Sequence, residues 1–146
     1  MPTLTPRDPD FEARVREGFA RQAYMATIGA EILRIAPGEI DLGLAFRADL
    51  TQQHGYLHAG VVTALVDSAC GFAAFTLMPA GSGVVSVEFK VNLLAPSVGE
   101  RMIARGRVLR PGRTLTACSG EVVAVTGGEE TPVVAMLATM MRIDKV

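Results

Sequence analysis

The chain has 146 residues, a formal net charge of −1 and 49% hydrophobic residues, which suits one domain with a real core. With near-neutral charge and no dense Lys/Arg cluster, the electrostatic footprint of a nucleic-acid binder is excluded. Cys70 and Cys118 sit far apart in apolar patterns without a C-x-x-C, so they read as buried thiols of a reducing compartment, not as a disulfide or a nucleophile. No secretory signal is evident in residues 2–25, and the cytoplasm is the expected location.

Residues 1–10 read as a disordered lead, with one domain over 11–146. Asp8 is placed to cap the first helix and Pro9 to fill its first position. Phe11, Val15, Phe19 and Ala23 recur every fourth residue, which predicts an amphipathic helix to about Met25. Residues 28–35 and 40–46, split by Ala36-Pro37-Gly38-Glu39, predict a hairpin. A long helix starts near His58 and runs apolar to Pro79. Beyond it the pattern is of strands only. Val85, Val87, Phe89, Val91 and Leu93 alternate with Ser86, Glu88, Lys90 and Asn92 without a break. Strands over 101–109, 114–125 and 133–143 follow, parted by a turn at Arg110-Pro111-Gly112-Arg113 and a loop at Gly127-Gly128-Glu129-Glu130. Helix, two strands, long helix and four strands make an α+β domain with antiparallel sheet.

Gly60 to Leu77 holds a single charge, Asp67. The segment is nearly long enough to span a bilayer, but a carboxylate at its middle is costly in lipid and no Lys or Arg flanks it. It reads instead as a helix covered on every side by protein: a curling sheet and, over part of it, a partner subunit. Thr63, Ala64, Cys70 and Gly71 lie one turn to either side of Asp67 on the same face. All are small, so that face has room for a ligand beside the carboxylate. His58 and Ala59 fall in the first turn, where N–H groups lack intrahelical acceptors and the helix dipole is positive. Such a terminus suits a developing oxyanion. His54 and His58 lack the companions of a metal site, and none is expected. Neither a G-x-S-x-G elbow nor a phosphate-binding glycine loop occurs.

Gln52-Gln53-His54-Gly55-Tyr56-Leu57-His58-Ala59-Gly60 with Asp67 nine residues after His58, then Ser86 to Pro96 and Arg110 to Thr114 in that order, resembles the hotdog-fold acyl-CoA thioesterases. The likeness is to the PaaI-like (phenylacetate-degradation) branch and covers roughly residues 20–143. It implies an antiparallel sheet wrapped around one long central helix, two subunits paired edge to edge, and often a dimer of dimers with active sites shared between subunits. Asp67 matches the carboxylate that attacks the thioester or activates water, and Ala59 the N–H that polarises the carbonyl. Gln52 matches the group that orients substrate or water, facing the carboxylate of the other subunit. His58 matches a loop support that touches the thioester. Ser86 matches a hydroxyl that holds the attacking water; Ser68 is the other candidate, because Gly71 stands where some relatives carry Thr or Ser. Arg110, Arg113 and Thr114 match the turn near the phosphates of coenzyme A. Ala59 departs from the commoner Gly but keeps its N–H. The implied activity is hydrolysis of a medium-chain, long-chain or aryl acyl-CoA, with no cofactor beyond the coenzyme A of the substrate, no membrane and no nucleic acid. The alternatives are an enoyl-CoA hydratase of the same fold, whose loop and His–acid spacing are missing here, and a non-catalytic acyl-CoA-binding module.

Overall fold

A helix as apolar as the one that carries Asp67 has no face to offer water, so the rest of the chain must cover it. The computed structural model describes residues 3–144. In chain order its elements are α1 (Phe11–Arg21), α2 (Ala23–Ile28), β1 (Glu31–Ala36), β2 (Glu39–Ala45), a 3-10 turn (Ala48–Leu50), α3 (Ala59–Phe75), β3 (Ser82–Leu93), β4 (Arg101–Arg110), β5 (Leu115–Thr126) and β6 (Glu129–Asp144). The six strands form one antiparallel sheet in the order β1-β2-β4-β5-β6-β3. The sheet curls around α3, which is the expected hotdog arrangement.

Leu65, Val66, Ala69, Cys70 and Ala73 of α3 are fully buried against Leu42, Met102, Cys118, Val134 and Met140 of the sheet. Burying each large side chain contributes about 1.5–3 kcal/mol. Two glycines let the helix come this close. Gly106 of β4 and Gly120 of β5 are cross-strand partners. A Cβ on Gly106 would lie 2.3 Å from the Ala69 carbonyl, and one on Gly120 would lie 2.5 Å from Val66 and 2.8 Å from the Cys70 sulfur. No helix among the described residues is long and apolar enough to cross a membrane.

The N-terminal region departs from expectation. The predicted single helix breaks at Gln22, whose backbone is extended (φ −81°, ψ 92°). A second helix then ends on Gly29 in the left-handed region (φ 80°), so Ile28 closes a helix and does not open a strand. Asp8 is not the helix cap, because α1 starts behind Asp10. Its carboxylate instead accepts the Asp10 N–H at 2.9 Å and lies 3.2 Å from Arg14 Nε. The Arg14 guanidinium donates to the carbonyls of Pro79 (2.6 Å), Met78 (2.8 Å) and Phe75 (3.2 Å), and stacks 4.4 Å over the Phe75 ring. The Phe75 carbonyl is the last of α3 and those of Met78 and Pro79 lie in the turn that follows, a place where a cation is favoured by the helix dipole. Of the expected lead, residues 1–2 lie outside the described residues; Leu4 packs against the core and Asp8 is buried.

The strands differ in two places. Gly127 (φ 59°) and Gly128 (φ 82°) form a two-residue turn with both centres left-handed, the type that follows strand twist. Thr126 therefore pairs with Glu129, and Glu129 and Glu130 join the strand instead of the loop. In β3 the alternation is broken by a bulge: Ser86 pairs with Met140, Glu88 pairs with Thr139, and Val87 is left between them. Uninterrupted alternation would put Ser86 on the face opposite Phe89. The bulge puts both on the inner face, opposite buried Met140 and Ala138.

Candidate active site

Functional groups stand on α3 at two levels. Asp67 lies half-buried in mid-helix, and the bulge in β3 turns Ser86 onto it, so that Ser86 Oγ donates to Asp67 Oδ1 at 2.7 Å. These two residues line a cavity of about 320 Å3 between α1, α3 and the start of β3. Ser68 also lines it, but Ser68 is buried and its Oγ accepts from Gln22 Nε2 at 3.1 Å. The extended backbone at Gln22 is thus tied to α3, and the Ser68 hydroxyl is engaged there instead of at Asp67.

The second level is the first turn. His58 is the N-cap (φ −58°, ψ 140°) and its Nδ1 accepts the Gly60 N–H at 2.8 Å. The His58 carbonyl accepts the Val61 N–H at 3.0 Å. The Ala59 N–H has no acceptor among the described residues. One residue therefore occupies two donors of the turn and leaves the third free. With Nδ1 accepting, a neutral His58 ring carries its proton on Nε2; this tautomer is assigned from the hydrogen bond. Gln52 starts the preceding loop: its N–H donates to Tyr56 O at 2.8 Å, and its side-chain oxygen takes the His54 N–H. The side-chain NH2 stays available as a donor. Gln52, Tyr56, His58 and Ala59 line a second cavity of about 490 Å3 together with Leu93 and Pro96.

Within one chain the two levels do not meet. Ala59 and Asp67 are eight positions apart, a rise of about 12 Å along the helix, and they line different cavities. Arg110 and Arg113 are exposed beyond the other end of the helix. Arg113 lines a third cavity with Arg7 and Arg142, beside Leu77 and Met78. The Thr114 carbonyl accepts the Arg142 N–H at 2.8 Å.

Both thiols are free and buried. Burial pushes Cys118 up to about 12. It raises Cys70 further, with Cys118 and Asp67 adding to the effect. Neither is a thiolate near neutral pH, which rules out a cysteine nucleophile. No group of three His, Cys, Asp or Glu among the described residues could hold a metal ion. Gln22 and Phe72, which help shape the Asp67 cavity, left no signal in the sequence, where both fall in ordinary helical patterns.

Residues 54–131 match the family model described as the thioesterase superfamily. The chain is similar to a thioesterase family protein from Silicibacter pomeroyi, with 48% identity and a TM-score of 0.90 over 92% of this chain and 98% of that one. It is 26% identical to acyl-coenzyme A thioesterase 13 of Mus musculus over 77% of each chain. The PaaI protein of the E. coli phenylacetic acid degradation operon shares the fold, with a TM-score of 0.84, 17% identity, and coverage of 94% of this chain and 96% of that one. Among the curated relatives it matches, the aligned stretch spans 62% of one protein's length, 77% of another's and 83% of a third.

Proposed function

We propose that this chain, which belongs to the thioesterase superfamily, hydrolyses an acyl-CoA in the cytoplasm to a free acid and coenzyme A. The observation that carries the reading is the Asp67 carboxylate, the lone charge of the core helix, held by the Ser86 hydroxyl in the lining of a cavity.

The chemistry needs an attacking group on one side of the thioester carbonyl and a donor for its oxygen. Asp67 supplies the first, either by taking a proton from water as water attacks the carbonyl carbon, or by attacking that carbon itself, with water then cleaving the anhydride. Either way the C–S bond breaks, and the departing thiolate takes up a proton. Ser86 orients the carboxylate. The free Ala59 N–H supplies the oxyanion donor, a contact whose loss typically costs about 100- to 1,000-fold in rate. His58 Nε2–H and the Gln52 amide stand beside it to orient the thioester or the water. Arg110, Arg113 and Thr114 take the phosphates of coenzyme A.

Because one chain holds Asp67 and Ala59 about 12 Å apart, the working site is formed by two copies: Asp67 and Ser86 from one, Gln52, His58 and Ala59 from the other. The outer edge of β3 supports this reading. It is paired on one side only, and Val85, Val87, Phe89 and Leu93 stand exposed along it. An edge of that length and apolarity is a pairing surface. A homodimer, or a dimer of two dimers, follows.

Release of free thiol from a panel of acyl-CoAs tests the function. Asp67→Asn is expected to lower kcat/KM by about 100-fold or more, and equal rates for the two proteins would sink the assignment. Tight acyl-CoA binding without turnover by the unmodified protein would make it a binding module. Hydration of an enoyl-CoA, followed by absorbance, would make it a hydratase.

A further inference from the structure

Resting on that reading, we infer that the cavity beside Asp67 is the acyl pocket and that Gly71 and Phe72 set its capacity, selecting compact acyl groups of roughly eight carbons or fewer over long fatty chains. Asp67 and Ser86 line this cavity and are hydrogen-bonded to each other. A thioester attacked there has two arms, and the Ala59 side, with its polar groups and larger volume of about 490 Å3, suits the amide-rich pantetheine arm. The acyl arm is left with the cavity of about 320 Å3, which lies at the small end of the range for ligand pockets, about 300–1,000 Å3.

Its lining sets an apolar stretch of Phe72, Phe75, Val84 and Val85 beside the polar side chains of Arg21, Gln22, Ser68 and Ser82. Gly71 is one turn beyond Asp67, and a Cβ there would meet nothing within 4 Å. The missing side chain is therefore open pocket rather than close packing. Phe72 and Phe75 of α3 line it together with Val84 and Val85 of β3. The Phe72 ring is not free to swing aside. It lies 5.9 Å from the Phe19 ring at 60° and 6.3 Å from the Phe75 ring at 67°. Gly18 of α1 sits so close that a Cβ on it would be 3.3 Å from the ring. Rings that fix one another in this way make a hard stop, because moving one breaks the packing of three. An acyl chain that fills the space over Gly71 then meets Phe72.

The test is a kcat/KM profile over saturated acyl-CoAs from acetyl to hexadecanoyl, for the unmodified protein and for Gly71→Leu and Phe72→Ala. The unmodified protein should favour the shorter half of the series and fall about tenfold or more by hexadecanoyl. Gly71→Leu should lower the hexanoyl-to-acetyl ratio about tenfold or more, and Phe72→Ala should raise the hexadecanoyl-to-hexanoyl ratio by a similar factor. Circular dichroism establishes that each variant is folded; if Gly71→Leu does not fold, Phe72→Ala decides alone. Preference of the unmodified protein for hexadecanoyl, or an unchanged profile in the folded variants, overturns the pocket assignment and leaves the hydrolase reading standing. No thiol release from any member of the series removes both.

Discussion

At the scale of single residues, one carboxylate and two thiols share α3 and its neighbouring strand yet meet opposite fates. Asp67 has a hydroxyl donor and a cavity; Cys70 and Cys118 are fully buried, and Arg107, which acts to lower Cys70, does not offset that burial. The thiols tie pH to stability. Cys118 moves from an ordinary 9.0 to about 12 on folding, and Cys70 moves the same way. The folded chain then keeps protons that the unfolded chain releases. Their contribution is complete below the ordinary value and is lost as pH climbs toward the folded value. Thermal unfolding should therefore show a Tm that declines from about pH 9 upward, and a double Cys→Ala variant should show a shallower decline. Equal slopes for the two proteins would refute the linkage. Thiol location and the lone charge at Asp67 were both legible in the sequence, because an apolar run exposes its exceptions. The engagement of Ser68 by Gln22 was not, since it depends on a backbone break between two helical stretches that share one periodic pattern.

At the scale of elements, the contact of α3 with the sheet rests on the absence of two side chains. Adding the Cβ of Gly106→Ala would push backbone against backbone at Ala69, where no rotamer change gives relief. A loss of about 1–3 kcal/mol or more is expected, read as a lower urea midpoint with an unchanged m-value. A neutral substitution would mean that the helix seat is looser than described. In the sequence a glycine inside a strand signals only a bulge or a close approach, so Gly106 and Gly120 could not be told from ordinary strand glycines until their register was known. The β3 bulge was hidden for a related reason. The alternating residues from Val85 to Leu93 fit a flat strand perfectly well, and only pairing with β6 shows that Val87 is the extra residue that brings Ser86 inward. The order of elements and the sheet class were legible, because they follow from periodicity and turn residues; the start of the first helix was not, because Asp8 followed by Pro9 reads as a helix start two residues ahead of the one the chain uses.

At the scale of the whole molecule, the proposed sharing of the site between two copies has a consequence that a site within one chain would not have. Copies with Asp67→Asn and copies with Gln52→Ala each spoil a different half. In a mixed dimer one of the two sites receives both intact halves. Each variant alone should fall about tenfold or more, while an equal mixture refolded together should recover about a quarter of the original thiol release, since about half of the dimers are mixed and each has one working site. Activity equal to the average of the two variants would place the whole site within one chain. Arg14 bears on the molecule in another way. One guanidinium closes the end of α3 from 61 to 65 residues upstream. Closing a loop of that length costs chain entropy before the contact repays it. The junction between α3 and the turn after it is thus secured by a side chain of α1, so the end of the central helix rests on a tertiary contact and not on its local sequence alone.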